Sequence, residues 1–120
     1  MGKEEKIQKI LDSWQGENRL KTDSWDNVRS VLDYYGFTYE KKTDWVCSHP
    51  ELRALAIRHG SRDILQAAKL NPLGQLTVAV QHGKNTKTGM VLRCYLNYIL
   101  KSVRLLRLIR ESKNGENTDE

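Results

Sequence analysis

His82 stands where an alternating apolar run, Val78-Ala79-Val80-Gln81, meets a glycine turn, Gly83-Lys84, with Lys87, Gly89 and Leu92 close behind. An imidazole ionises near neutrality and so can accept and return a proton within one reaction cycle. A neighbouring carboxylate orients such a ring and raises its affinity for the proton. In an antiparallel meander the end of the third strand lies beside the start of the second, an arrangement expected to bring His82 against Asp44. The plain alternative is a turn histidine beside Gly83 with no chemical role. His49 lies five positions beyond Asp44, so strand alternation points it to the other face unless a bulge intervenes. His59 belongs to a segment whose position the sequence leaves open.

Lys41, Lys42, Lys84, Lys87 and Arg93 are expected to gather at the same end of the sheet. Such a cluster contacts phosphates with salt-dependent, sequence-independent affinity; a solvated lysine-rich hairpin end is the equally natural reading. A second basic stripe, Lys101, Arg104 and Arg107, reads as the wet face of a helix or as a surface for an acidic partner or nucleic acid. Among the aromatics, Trp25, Tyr35, Phe37 and Trp45 read as core. Tyr39 and Trp45 are the two whose exposure would permit base stacking. Cys47, Ser48 and His49 do not make a zinc site, because zinc needs about four converging ligands and Cys94 lies far away. No metal or cofactor is expected, and no glycine-rich phosphate loop is present.

The elements that position these residues follow from periodicity. Ile7, Ile10, Leu11 and Trp14 fall on one helical face. After a polar loop from Gly16 to Thr22, Asp23 or Ser24 is placed to cap a helix carrying Trp25, Val28, Val31, Leu32 and Tyr35, which Gly36 ends. Phe37–Thr43 and Trp45–Cys47 read as a hairpin stopped near Pro50. The stretch from Pro50 to Leu73 has two helical patches, and Gln75–Val80 alternates as a half-buried strand. A long helix is expected from about Gly89 to Ser112, with Leu92, Leu96, Ile99, Val103 and Leu106 inward. Its apolar face beyond Val103 needs a cover, either the N-terminal helix or a second copy of the chain.

The net charge of +5 is concentrated between residues 71 and 112, which favours phosphate or acidic partners. The 120 residues make one domain's worth of chain, with no apolar stretch of the roughly 20 residues a membrane span needs. No signal-peptide core is visible at the N-terminus. Two distant cysteines suit reduced thiols, so a cytoplasmic protein is expected.

Three stretches resemble the HicA toxin family, small messenger-RNA-cleaving proteins of double-stranded-RNA-binding-like fold. Trp25–Gly36-Phe37 resembles the family's first helix and its exit. Lys42-Thr43-Asp44-Trp45-Val46-Cys47-Ser48-His49-Pro50 resembles its Gly-Ser-His-x-x-Phe-x-His-Pro segment. Gln81-His82-Gly83-Lys84 with Thr88-Gly89-x-x-Leu92 resembles its strand exit and final helix. The resemblance implies an α+β fold with an α-β-β-β-α core: a three-stranded antiparallel sheet, helices on one face. Around that core this chain adds an N-terminal helix over 1–15 and a helical insertion over 50–74, between strands two and three. One domain would cover 1–112, followed by a disordered acidic tail, 113–120. The family's catalytic histidine falls on Asp44, so activity carries over less readily than fold. The implied function is RNA binding, with toxin-type, metal-independent endoribonuclease chemistry either altered, resting on His82 and Asp44, or lost. RNA and a HicB-like antitoxin protein are the implied partners. The competing reading is a non-catalytic module that binds an antitoxin or a second copy through the long C-terminal helix.

Overall fold

The structure is a computed structural model that describes residues 2–59, 68–81 and 89–118, with His59 and 113–118 described by backbone alone. Helix α1 spans Lys3–Ser13 and buries Ile7, Ile10 and Leu11, with Trp14 buried just beyond its end. The chain then forms a three-residue strand, β1 (Thr22–Ser24), and enters helix α2 (Trp25–Tyr35). Ser24 is the cap of α2: its hydroxyl accepts from Asn27 N at 3.2 Å, satisfying one of the unpaired amides of the first turn. Gly36 ends the helix in the left-handed region at φ 84°, which lets Gly36 N and Phe37 N donate back to Asp33 O and Leu32 O.

Strands β2 (Thr38–Lys41), β3 (Trp45–Ser48) and β4 (Leu76–Val78) form an antiparallel meander in that order. Lys41 faces Trp45 across the hairpin, and Trp45 faces Val78. Because side chains alternate, Tyr39, Lys41, Trp45, Cys47, Leu76 and Val78 share one face. Cys47, Leu76 and Val78 are buried there, whereas Thr38, Glu40 and Thr77 on the other face are exposed. Helix α3 (Pro50–His59) lies between β3 and β4 in sequence, with Pro50 at its first position, where a missing N–H costs nothing. Strand β5 (Met90–Leu92) pairs with β1 as a separate two-stranded ribbon, and helix α4 (Arg93–Thr118) closes the fold. It packs against β4 and α3, burying Leu96, Ile99, Leu100, Val103 and Leu106. Among the described residues the chain is thus an α+β domain of four helices, a three-stranded antiparallel sheet and a two-stranded ribbon.

Among the described residues the N-terminal helix, the helix ended by Gly36, a helix over the first patch of the insertion, the hairpin, a short third strand and the long final helix form, with three differences. The final helix starts at Arg93 rather than at Gly89, because Met90–Leu92 pairs with Thr22–Ser24 and buries Val91. Leu92 is therefore a strand residue opposite Thr22, not the first inward residue of a helix. The loop expected through Thr22 contains the partner strand, and Trp25 N donates to Gly89 O at 2.8 Å to tie α2 to the same ribbon. At the other end the α4 backbone is helical to Thr118, beyond Ser112 and into the expected tail, since propagation adds one bond per residue and no proline intervenes. Of the second helical patch in the insertion, 60–67 lie outside the described residues, while Ala68 and Leu70 are buried. Among the described residues no helix is long and apolar enough to cross a membrane.

Candidate functional site

The sheet end carrying Lys41 and Lys42 is built by a three-residue turn, Lys42–Asp44, in which Lys42 N donates to Asp44 O at 2.9 Å. Both lysines are exposed, and among the described residues neither has a carboxylate within salt-bridge distance. The Lys41 ammonium lies over the Trp45 ring, 5.6 Å from its centroid. Trp45 stacks on Trp25 at 4.9 Å and 28° between ring planes. Tyr39 meets both rings edge-on, at 5.8 Å from Trp25 and 5.7 Å from Trp45. Its hydroxyl donates to Asp33 Oδ1 at 3.0 Å. Burial, then the Asp33 hydrogen bond and charge, raise the Tyr39 pKa above 10.0, since all three disfavour the phenolate. Trp25 is core, as expected, whereas Tyr39 and Trp45 are half-buried and retain some accessible surface.

Asp44 is half-buried in the turn, immediately before β3. Its charge contributes, after burial and Cys94, to raising the pKa of the Tyr95 phenol, so the turn lies within electrostatic reach of the first turn of α4. His82, Lys84 and Lys87 fall outside the described residues. The strand expected to carry His82 alongside β3 is shorter than its alternation suggested. It ends at Val78, and Gln81 has turned to the ribbon, exchanging both backbone hydrogen bonds with Met90 at 2.8 and 2.7 Å. Arg93 is directed to the loop before β1: its backbone N donates to Lys21 O at 2.9 Å and its Nε to Leu20 O at 3.4 Å. There it lines an open depression of about 500 Å³ with Gly16, Glu17 and Arg19.

His49 is a structural residue. Glu51 N donates to His49 Nδ1 at 3.1 Å, which makes Nδ1 an acceptor and leaves the proton on Nε2, 2.8 Å from Tyr35 O. The neutral ring therefore caps α3 and bridges it to the end of α2, packed edge-on against Phe37. It floors a cleft of about 300 Å³ lined also by Thr38, Ser48, Arg53, Leu73 and Gln75.

Of the two cap candidates, Ser24 caps α2 and Asp23 does something else. Its buried carboxylate accepts from Trp14 Nε1 at 2.7 Å, Asn27 Nδ2 at 2.9 Å and Ser24 N at 2.7 Å. The stripe Arg104 and Arg107 is largely committed within the fold. Arg104 donates to Gln15 Oε1 at 3.0 Å, and Arg107 donates to Gln8 Oε1 at 3.2 Å and to Tyr35 OH at 2.7 Å while lying over the Tyr35 ring. The i, i+3 spacing marked these arginines as a face but carried no sign of what the face would meet. Among the described residues no group of three His, Cys, Asp or Glu side chains converges as a metal site would require. Compared with protein-family models, curated proteins and solved structures, the chain matches none of them.

Proposed function

We propose that this chain binds RNA at the β2–β3 end of its sheet, on a HicA-like, double-stranded-RNA-binding-like core formed by α2, β2, β3, β4 and α4. The observation that carries the reading is a pair of exposed lysines, Lys41 at the end of β2 and Lys42 in the turn, neither with a carboxylate partner among the described residues and set beside a half-buried indole. The order of those five elements and the excess of basic residues support it, as does the resemblance of residues 25–50 and 75–102. Lys84 and Lys87 would extend the contact, and Arg93 would contribute from the depression beside β1. Phosphate capture of this kind weakens with salt in proportion to the contacts made. If the chain cleaves RNA, His82 serves as the proton acceptor for the 2′-hydroxyl with Asp44 as its orienting carboxylate. A carboxylate by itself is a poor acceptor for a hydroxyl proton, so the histidine is the group this chemistry needs.

The test is incubation of the purified chain with mixed-sequence RNA over a salt series, wild type beside Lys41→Glu/Lys42→Glu and His82→Ala. Binding that falls steeply with salt and is lost in the double lysine variant is the expected result. Cleavage in the wild type that survives in His82→Ala would remove the catalytic reading. A second reading, a protein-interaction module for an antitoxin-like partner or a second copy, is favoured by large apolar side chains left outside, of which two are the most exposed among the described residues. Ile57 on α3 is 68% exposed and Leu108 on α4 is 60% exposed. Salt-insensitive association with a protein and no RNA binding would select it.

A further inference from the structure

We infer that Trp45 is the landing platform for a single unpaired nucleobase, and that the Lys41 side chain is its removable cover. The inference rests on the RNA reading above and names the form of RNA bound: a single strand rather than a duplex.

The geometry of the indole carries it. One face of Trp45 is fixed against Trp25, whose own burial at 8% exposure makes it a rigid backing. Over the ring lies an exposed lysine ammonium, 5.6 Å from the centroid, with no carboxylate partner among the described residues. A base is a larger stacking partner than an ammonium, whose attraction to an exposed aromatic face is net favourable but weaker than base stacking. Swinging Lys41 off the ring breaks no hydrogen bond or ion pair among the described residues, and it frees the ammonium to meet the phosphate of the base it admits. Lys42, next along the turn, is placed for the adjoining phosphate. A paired base presents no free face, so a duplex could use the lysines but not the indole.

The chain's own tryptophans make this measurable. Of the three, Trp14 is 0% exposed and Trp25 nearly so, leaving Trp45 as the emitter that a stacked base would quench. The purified full chain is titrated with oligouridylate of about ten nucleotides, within the range such grooves span, and with a fully paired RNA duplex of equal length. Tryptophan emission and the anisotropy of an end label are read together. The expected result is quenching by the strand and none by the duplex, with strand affinity falling about tenfold in Trp45→Leu. Lys41→Ala serves where Trp45→Leu fails to fold. It should keep the quenching and lower the salt slope by about one contact. Equal affinity for strand and duplex with unchanged emission would overturn the platform and leave the lysine-based RNA reading standing. Absence of binding to either at low salt would overturn both.

Discussion

Cys47 and Cys94 show how much a side chain's surroundings decide. Both are free thiols, yet Cys94 is exposed and Cys47 is wholly enclosed beneath the sheet. Burial pushes the Cys47 thiol from 9.0 up to about 12, because the thiolate would lose its hydration. A thiol-specific reagent at neutral pH should therefore titrate one cysteine in the folded chain and two in denaturant; fast labelling of both in the native protein would refute the burial. The linked stability has a definite sign. Below pH 9 the thiol is protonated in both states. Between 9 and about 12 only the unfolded chain releases the proton, so stability declines as pH rises through that window. The stability difference between wild type and Cys47→Ala, followed by urea titration, should shrink there. Asp23 is buried as well, with its carboxylate accepting from three donors and no cation paired to it among the described residues. Asp23→Ala strands the Trp14 indole N–H in the core and should lower stability by about 1–3 kcal/mol, read as a shift of the denaturation midpoint without loss of slope.

At the scale of elements, two glycines separate backbone strain from collision. Gly36 ends α2 at φ 84°, and a Cβ there would come no nearer than 3.5 Å to His49 Nε2, an ordinary contact. Gly36→Ala should then cost only the left-handed penalty, about 1–2 kcal/mol. Gly74, at φ 72°, would place a Cβ 2.5 Å from Leu52 O, which α3 holds rigidly. Gly74→Ala should be worse than Gly36→Ala by at least about 1–3 kcal/mol, the range for overpacking; equal thermal melts for the two variants would contradict the contact. The same scale explains why the ribbon escaped the sequence. Thr22-Asp23-Ser24 has no apolar alternation, and what makes it a strand is Met90–Leu92, far along the chain.

Across the whole molecule, the helix that the HicA resemblance leaves as an addition is part of the core. Helix α1 and the residues that follow it bury Ile7, Ile10, Leu11 and Trp14, reach Asp23 through the indole, and are held beside α4 by Arg104 and Arg107. At roughly 1.5–3 kcal/mol for each large apolar side chain buried, those four account for as much as the whole net stability of a typical domain, about 5–15 kcal/mol. Removal of residues 1–15 should leave a chain without a cooperative thermal transition by circular dichroism; a sharp transition in the truncated protein would show α1 to be dispensable. Arg107→Ala, which frees both Gln8 and the Tyr35 hydroxyl at a partly exposed position, should destabilise by about 0.5–1.5 kcal/mol and leave the proposed RNA binding unchanged.

Periodicity alone determined α1, α2, the hairpin and the inward face of α4, because apolar spacing is a local property that burial enforces wherever the chain lands. It also marked Lys41 and Lys42 as a lysine-rich hairpin end and Tyr39 and Trp45 as the aromatics to watch, since alternation and turn chemistry are written in adjacent residues. Only the tertiary structure decided that His49 is a helix cap, that Asp23 is a hub for three donors, that Arg104 and Arg107 are internal ties, and that Arg93 faces the loop before β1. Each of those roles depends on a partner from elsewhere in the chain or on the precise path of the backbone. Hydrogen bonds and charges have no period, so nothing in their spacing announces whom they will meet.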